Sequence, residues 1–368
     1  MSGHPDKLAP SGTGRMQVRD TAAMSVPISV VTGAAGFVGQ ALVRRLLADG
    51  DEVRALALPK DPFLSELRAL GPTEQLQILE VDITDTVSLD TAFAGATRAF
   101  HTAALVHAWA PWERFRAVNV GGTQKVARAC RAHGVRLLAV STSDVFGIPD
   151  ADEVMDETSP VKRWNEPYAD TKIEAERWLW SFARDTQLPL SIIYPGWVYG
   201  PGDKAFFRNL AAAIDDGVMT FWFRNAKLPW VFIDNLVDAC VLASRHPGAI
   251  GEGYLVHDEA DGPTLEEVCA RIAGVIGKKA PTLHVPYALA FGAAKATQTL
   301  WRWLRITSPP PLLTVDVKAF GFQWHLSTQK IRRLGWAPRV STEHGMELAL
   351  RYLSEQRAAA QKRSPRIQ

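Results

Sequence analysis

The chain has 368 residues, 47% hydrophobic and 22% charged, which is ordinary for a globular protein and leaves room for one large domain or two moderate ones. Its 41 basic and 39 acidic side chains give a net charge of +2, which offers no reason to expect a nucleic-acid partner. The three cysteines, Cys130, Cys240 and Cys269, are widely separated with no metal-type spacing, so no metal site is expected and a reducing, cytoplasmic compartment fits best.

No stretch is apolar for long enough to span a bilayer. Residues 1–24 carry Gly, Pro, Ser and charges without a signal-peptide core and read as a disordered leader, with Met16 and Met24 both fitting as a start. The first strand is predicted at Val26 to Val31, an apolar, β-branched run. Gly33-Ala34-Ala35-Gly36-Phe37-Val38-Gly39 follows, and then a helix from Gln40 to Asp49 with Gly50 as its stop. Glycines at a strand–turn–helix junction each have a task. Gly33 permits the tight turn, Gly36 lets a pyrophosphate approach the backbone, and Gly39 lets helix and strand pack. The helix N-terminus adds free N–H groups and partial positive charge for phosphates, with Ala35, Phe37 and Val38 beside them.

A second strand is predicted at Glu52 to Leu58. An acid at its end would bond the adenosine ribose hydroxyls of NAD(H), and a cation would accept the 2′-phosphate of NADP(H). The end reads Ala57-Leu58-Pro59-Lys60, without the acid, which tilts the expectation to NADP(H). Lys60 is equally plausible as a phosphate partner or a surface lysine. Gln77 to Ile83 reads as a third strand, ending in Asp82 and Ile83, where a helix cap is the alternative reading. The fourth, Arg98 to Leu105, runs into Ala103 and Ala104, small enough to let a cofactor approach the backbone, while His101 reads as a packed core histidine. Asn119 opens a helix reaching Ala132, and a fifth strand runs from Val135 to Ser141. This β–α alternation predicts an α/β, doubly wound parallel Rossmann sheet with its ligand outside the carboxyl ends of the strands.

Tyr168 and Lys172 are one helical turn apart on a predicted helix entered through Pro167. A cation beside a phenol favours phenolate, which suits a tyrosine that passes protons near neutral pH. Thr142 lies at the fifth strand's end, in Ser141-Thr142-Ser143. With the glycine loop, Asn119-Val-Gly-Gly-Thr123 and Tyr194-Pro195-Gly196-Trp197-Val198-Tyr199-Gly200-Pro201-Gly202-Asp203, these residues resemble the extended short-chain dehydrogenase/reductase superfamily from Val26 to about Leu348.

The resemblance implies that Tyr168 is the general acid/base, that Lys172 holds the nicotinamide ribose and tunes Tyr168, and that Thr142 binds the substrate oxygen, with Ser143 as its understudy. It implies that Asp82 and Ile83 flank the adenine and that Pro195 and Val198 also line the cofactor site. It further implies a smaller, interleaved C-terminal substrate-binding lobe. The Rossmann domain would be residues 25–198, with 229–258 returning to it, the lobe 199–228 and 259–350, and the basic tail 351–368. Tyr194 departs from the arginine usual before Pro195-Gly196. A homodimer through a four-helix interface including the Tyr168 helix is implied too.

Two substrate classes compete. A nucleotide-sugar epimerase or dehydratase needs cations for a pyrophosphate, and the lobe offers Arg208, Arg224 and Lys227. A reductase of hydroxysteroid-like or β-keto lipid substrates needs apolar walls, and the same segments hold Trp197, Phe206, Phe207, Phe221, Trp222, Phe223 and Trp230, with Val106, Trp109, Trp112 and Phe115 after the fourth strand. The second reading is preferred, with Val106, Trp109, Ser143, Trp197 and Phe207 as substrate contacts. Tyr287 to Ile306, apolar with few charges, reads either as a buried helix or as one at a membrane surface, and Ser308-Pro-Pro-Pro-Leu-Leu-Thr314 after it resembles the hydroxysteroid-like branch. A non-catalytic dinucleotide-binding protein is the third reading, disfavoured because Tyr168 and Lys172 are both present.

Overall fold

A computed structural model describes residues 26–363, apart from 72–73, 107–108, 151–152, 205, 222–225 and 260–261. The leader, Trp222, Phe223, Arg224 and the tail from 364 onward lie outside the described residues. In chain order the strands are β1 (Ile28–Thr32), β2 (Glu52–Ala57), β3 (Leu76–Glu80), β4 (Arg98–His101), β5 (Arg136–Val140), β6 (Val154–Met155), β7 (Leu190–Pro195), β8 (Trp197–Tyr199), β9 (Trp230–Phe232), β10 (Glu252–Val256) and β11 (His325–Leu326). The helices are α1 (Phe37–Ala48), α2 (Leu64–Arg68), α3 (Thr86–Phe93), α4 (Trp112–Phe115), α5 (Thr123–Ala132), α6 (Pro167–Thr186), α7 (Phe206–Asp215), α8 (Ile233–Arg245), α9 (Leu265–Ile276), α10 (Tyr287–Trp303), α11 (Thr314–Phe320), α12 (Gln329–Arg333) and α13 (Thr342–Arg363).

Seven strands form one parallel sheet in the order β3-β2-β1-β4-β5-β7-β10. Its strands are near-continuous apolar runs because helices cover both faces. Val30, Val31, Leu137, Leu138, Ile192 and Ile193 are all buried. The strand order reverses at β1 and β4, which opens a crevice at their carboxyl ends.

The chain leaves this sheet after β7 and comes back to it. Gly196 donates to the Val256 carbonyl, Trp197 pairs with Trp230 in a two-stranded β8–β9 sheet, and β10 then adds to the edge of β7. A side chain on Gly196 would strike the Pro229 carbonyl oxygen, so this crossing of two segments requires glycine. Asn235 of α8 ties the C-terminal part back. Its Oδ1 accepts from the Arg339 and Val340 N–H groups, and its Nδ2 donates to Asp258 at 2.8 Å.

Two expectations change here. Residues 351–363, read as tail, continue α13, because Met346, Ala349 and Leu353 recur at helical spacing and are buried. Phe207, Phe221 and Trp230, read as walls of a cleft, are core residues instead. Phe207 stacks on Tyr199 at 6.0 Å, and Trp230 meets Tyr199 edge-on at 5.9 Å while its indole N–H donates to the Pro263 carbonyl.

Candidate active site

The glycine loop is held from both sides. Gly33 takes φ +67°, and a Cβ on it would sit 2.8 Å from the Ala103 backbone. Thr102 Oγ1 donates to the Thr32 carbonyl at 2.7 Å, which locks the end of β4 against the loop. A Cβ on Gly39 would run into the Gly33 carbonyl oxygen, whereas one on Gly36 would meet only that oxygen, at 3.1 Å. Gly36 is exposed and caps α1 with no side-chain hydrogen bond, and there is no acid in the first turn. The first-turn N–H groups of α1 therefore face outward beside an unobstructed backbone, which fits a pyrophosphate. Ala103, Ala104, Phe37 and Val38 stand half-buried around this opening, with Ala35 buried beneath it.

Lys204, from the loop after β8, is a residue the sequence reading missed. Its Nζ donates to the Ala35 carbonyl at 2.9 Å, pairs with Glu66 at 2.9 Å and lies 3.7 Å over the Phe63 ring. The only signal in the sequence was its place directly after Gly200-Pro201-Gly202-Asp203. Lys60 is exposed at a left-handed turn (φ +61°) after β2. Asp82 Oδ1 accepts from the Thr84 N–H and hydroxyl, both at 2.8 Å, closing a turn two residues before α3 starts at Thr86 and capping no helix. Ile83 is buried under Gly122, where any side chain would collide with it at 2.5 Å.

Thr142 and Tyr168 come together at the carboxyl end of β5. Thr142 opens a tight turn, Ser143–Phe146, by accepting from the Asp144 N–H at 3.2 Å. Its hydroxyl also stands near enough to the Tyr168 hydroxyl to draw the phenol's pKa down. Ser143 is buried in that turn. Asp144 was also missed by the sequence reading. Burial pushes its carboxyl up to about 6, with the Thr142 hydrogen bond pulling the other way. Burial, and then the Asp144 charge, hold the Tyr168 hydroxyl well above the usual phenol range.

Lys172 behaves differently from expectation. Its Nζ donates to the Val140 carbonyl at 2.8 Å, and its charge is opposed to Glu176. Desolvation pulls its ammonium down to about 8, and Glu176 resists that pull. Desolvation dominates at both groups, so in the protein alone the Tyr168 hydroxyl is raised rather than lowered. Burial outweighs a cation that is engaged elsewhere.

Glu176 explains the unusual Tyr194. The Tyr194 hydroxyl donates to Glu176 Oε1 at 2.6 Å, the Trp180 indole to the same oxygen at 3.2 Å, and Ser141 Oγ to Oε2 at 3.2 Å. An arginine before Pro195 would bring a second cation near Lys172, and tyrosine brings none. His101 is structural, as read. Its two ring nitrogens lie 2.8 Å from the Thr32 and Thr123 hydroxyls, and burial drives its pKa down to about 3. Asn119 lies in a π-helical stretch, Arg116–Gly122, rather than at a helix start. There it accepts from the Leu105 N–H at 2.7 Å and donates to Thr171 Oγ1 at 3.0 Å, fixing the loop after β4 against α6.

On the substrate side, Trp197 is half-buried between Phe206 and Phe320, both 5.1 Å away. Pro195 is buried at the end of β7, and Val198 is half-buried beside Trp197. Val106 is exposed, and the Trp109 indole donates to the Ile306 carbonyl at 3.1 Å. The lobe grips the start of α6 through Glu166, which accepts from Thr314 at 2.6 Å and from Lys318 at 3.1 Å.

This arrangement has known counterparts. The model of the NAD dependent epimerase/dehydratase family matches residues 29–256, from β1 through β10. The chain belongs to that family. Within it the chain is an extended short-chain dehydrogenase/reductase enzyme that uses a nicotinamide dinucleotide. It is 30% identical to the 2-alkyl-3-oxoalkanoate reductase of Stenotrophomonas maltophilia, over 86% of this chain and 96% of that protein. It is 29% identical to the 3-beta-hydroxysteroid dehydrogenase of Mycolicibacterium neoaurum, over 89% and 91%. Among solved structures, DesIV (dTDP-glucose 4,6-dehydratase) from Streptomyces venezuelae with NAD bound matches with a TM-score of 0.71 at 25% identity, over 90% of this chain and 98% of that one. No described helix is long and apolar enough to cross a membrane, and no described cluster of side chains has the makings of a metal site.

Proposed function

We propose that this family member reduces a ketone to a secondary alcohol, or runs the reverse, on a hydrophobic substrate of the hydroxysteroid or β-keto lipid kind. The observation that carries the reading is the placing of Tyr168 beside Thr142 at the sheet's carboxyl edge, with Lys172 one turn along the same helix. The dinucleotide supplies or accepts the hydride when bound. The chain's own residues do the rest. Gly33, Gly36 and the α1 N-terminus bind the pyrophosphate. Lys172 takes the ribose. Thr142 orients the substrate oxygen, and Tyr168 gives its proton to that oxygen as negative charge develops.

The raised Tyr168 hydroxyl suits this direction, because the proton stays on the phenol until the oxygen beside it becomes a stronger base. The relatives named for alkyl-oxoalkanoates and hydroxysteroids support an apolar substrate, as does the half-buried Trp197–Phe206–Phe320 cluster. The nucleotide-sugar reading is favoured by the fold likeness to DesIV. Against it, the oxoalkanoate reductase and hydroxysteroid dehydrogenase relatives match 86% and 89% of this chain at 30% and 29% identity. A homodimer through α5 and α6 belongs to the same proposal, with Trp178 and Phe182 stacked at 4.6 Å and Arg128 over Trp178.

A screen of hydroxysteroids, β-keto lipids and nucleotide sugars, followed at the nicotinamide absorbance with both cofactors, tests the reading. Turnover of a nucleotide sugar alone would overturn it. Cofactor choice is tested at the end of β2. Ala57→Asp puts a carboxylate where none stands, and the NADP(H) reading expects it to weaken NADP(H) relative to NAD(H). Ala57 is buried, so a thermal melt accompanies the titration.

Asp144 gives a pH prediction. Its negative charge raises the Tyr168 hydroxyl, so Asp144→Asn should let that proton leave at lower pH. Alcohol oxidation needs the deprotonated phenol. Its rising limb in a pH profile of kcat/KM should therefore move down by about one pH unit or less. A limb that stays put or moves up would show that Asp144 does not act on Tyr168.

A further inference from the structure

Helix α10 is laid on the protein by one face, with Ala290, Ala294 and Gln298 buried and Tyr287, Phe291 and Trp301 half-buried beside them, and shows its opposite face to solvent. The outward face is apolar. Leu289 is 65% exposed and Trp303 77%, with Leu300 between them and Leu283 and Leu304 at either end. Gly292 and Ala296 leave an open hollow of about 500 Å³ against Leu300 and Trp303. The buried-helix reading of this segment is thus set aside. Contiguous exposed apolar surface of this kind marks an interaction site.

Charge identifies the occupant. From Val268 to Val315 the sequence has no Asp or Glu, against six Lys and Arg, in a chain whose net charge is only +2. Arg271 and Lys278 are neutralised by Glu343 and Asp215. Lys279, Lys295, Arg302 and Arg305 make no ion pair with any described residue. A two-fold contact with a second copy would set this cationic rim against itself, since such an interface is isologous. An anionic bilayer surface would neutralise the rim while the apolar face entered the headgroup region. The site adjoins the patch. Arg302 lies 5.4 Å over the Trp109 ring, and Trp109 is tied to Ile306 just past the helix.

We propose that the outward face of α10 docks on anionic lipid, setting the mouth of the cleft at the membrane surface where an apolar substrate resides. Only the last clause rests on the proposed reaction; vesicle binding needs neither cofactor nor turnover, so the two can fail separately. The full chain should float with phosphatidylcholine vesicles containing about one third phosphatidylglycerol, and bind roughly tenfold less to neutral vesicles or in high salt. The double variant Leu289→Asp/Trp303→Asp should lose flotation yet keep turnover of a water-soluble ketone. Trp303→Ala, a mild change at an exposed position, should weaken flotation several-fold and guards against misfolding of the double variant. Absence of flotation on anionic vesicles would overturn the proposal, as would binding that ignores these substitutions. A dimer that the variants split, without vesicle binding, would assign the face to a second copy and overturn it too.

Discussion

Tyr168→Phe should leave dinucleotide binding in place and lower turnover by roughly 10²–10⁴, the usual worth of positioned acid–base catalysis. The ring and its packing survive the change, and only the hydroxyl that meets Thr142 is lost. Thr142→Val should also act chiefly on turnover, since it removes a bond that strengthens with oxyanion character. The same threonine accepts from the Asp144 N–H, so that variant additionally loosens the turn at Ser143. Lys172→Ala should harm binding and turnover together. It also strips Glu176 of its cation and the Val140 carbonyl of its donor. Dinucleotide affinity by fluorescence and turnover by nicotinamide absorbance, with circular dichroism as the folding control, separate the three. Full activity in Tyr168→Phe would move the acid to another residue.

Much of the fold was legible because its signals are local. β-branched runs broken by glycine, and helices with clear stops, gave the strand–helix alternation and hence the parallel sheet. The Tyr168–Lys172 spacing and Thr142 were readable for the same reason, since helical periodicity and a strand end place them. What escaped were contacts set by tertiary packing. Lys204 reaches Ala35 across the chain, Glu176 gathers Ser141 and Tyr194 from the ends of two strands, and neither pairing has a spacing rule. Lys172 was read as a charge beside a phenol, but burial and Glu176 decide its state. Aromatic residues misled in one respect. Phe207 and Trp230 have the composition of a pocket wall, yet sequence cannot say which side of a lobe helix or strand faces the core. Asp144 lay inside a motif already singled out and was passed over because its neighbours matched familiar roles.

The glycine loop offers the sharpest separation of folding from binding. Gly39→Ala should destabilise the protein by on the order of 3 kcal/mol, the upper part of what forced overpacking costs. The new methyl would meet the Gly33 carbonyl oxygen and the Ala34 Cα, both fixed backbone atoms between β1 and α1, so no side chain can rotate away to relieve it. Gly36→Ala should do the opposite. Gly36 takes φ −71°, a conformation open to any residue, and its new methyl would meet only the Gly33 oxygen at 3.1 Å. Stability should change by about 1 kcal/mol or less, the cost of a poorer helix cap. Affinity for the dinucleotide should fall at least about tenfold, because the methyl projects on the exposed side where a pyrophosphate must reach the backbone. Thermal melts without cofactor, paired with cofactor titrations, read both effects. If Gly36→Ala bound the dinucleotide as well as the native chain, the open side of this loop would not be the phosphate site. The first-turn N–H groups of α1 would then need another partner.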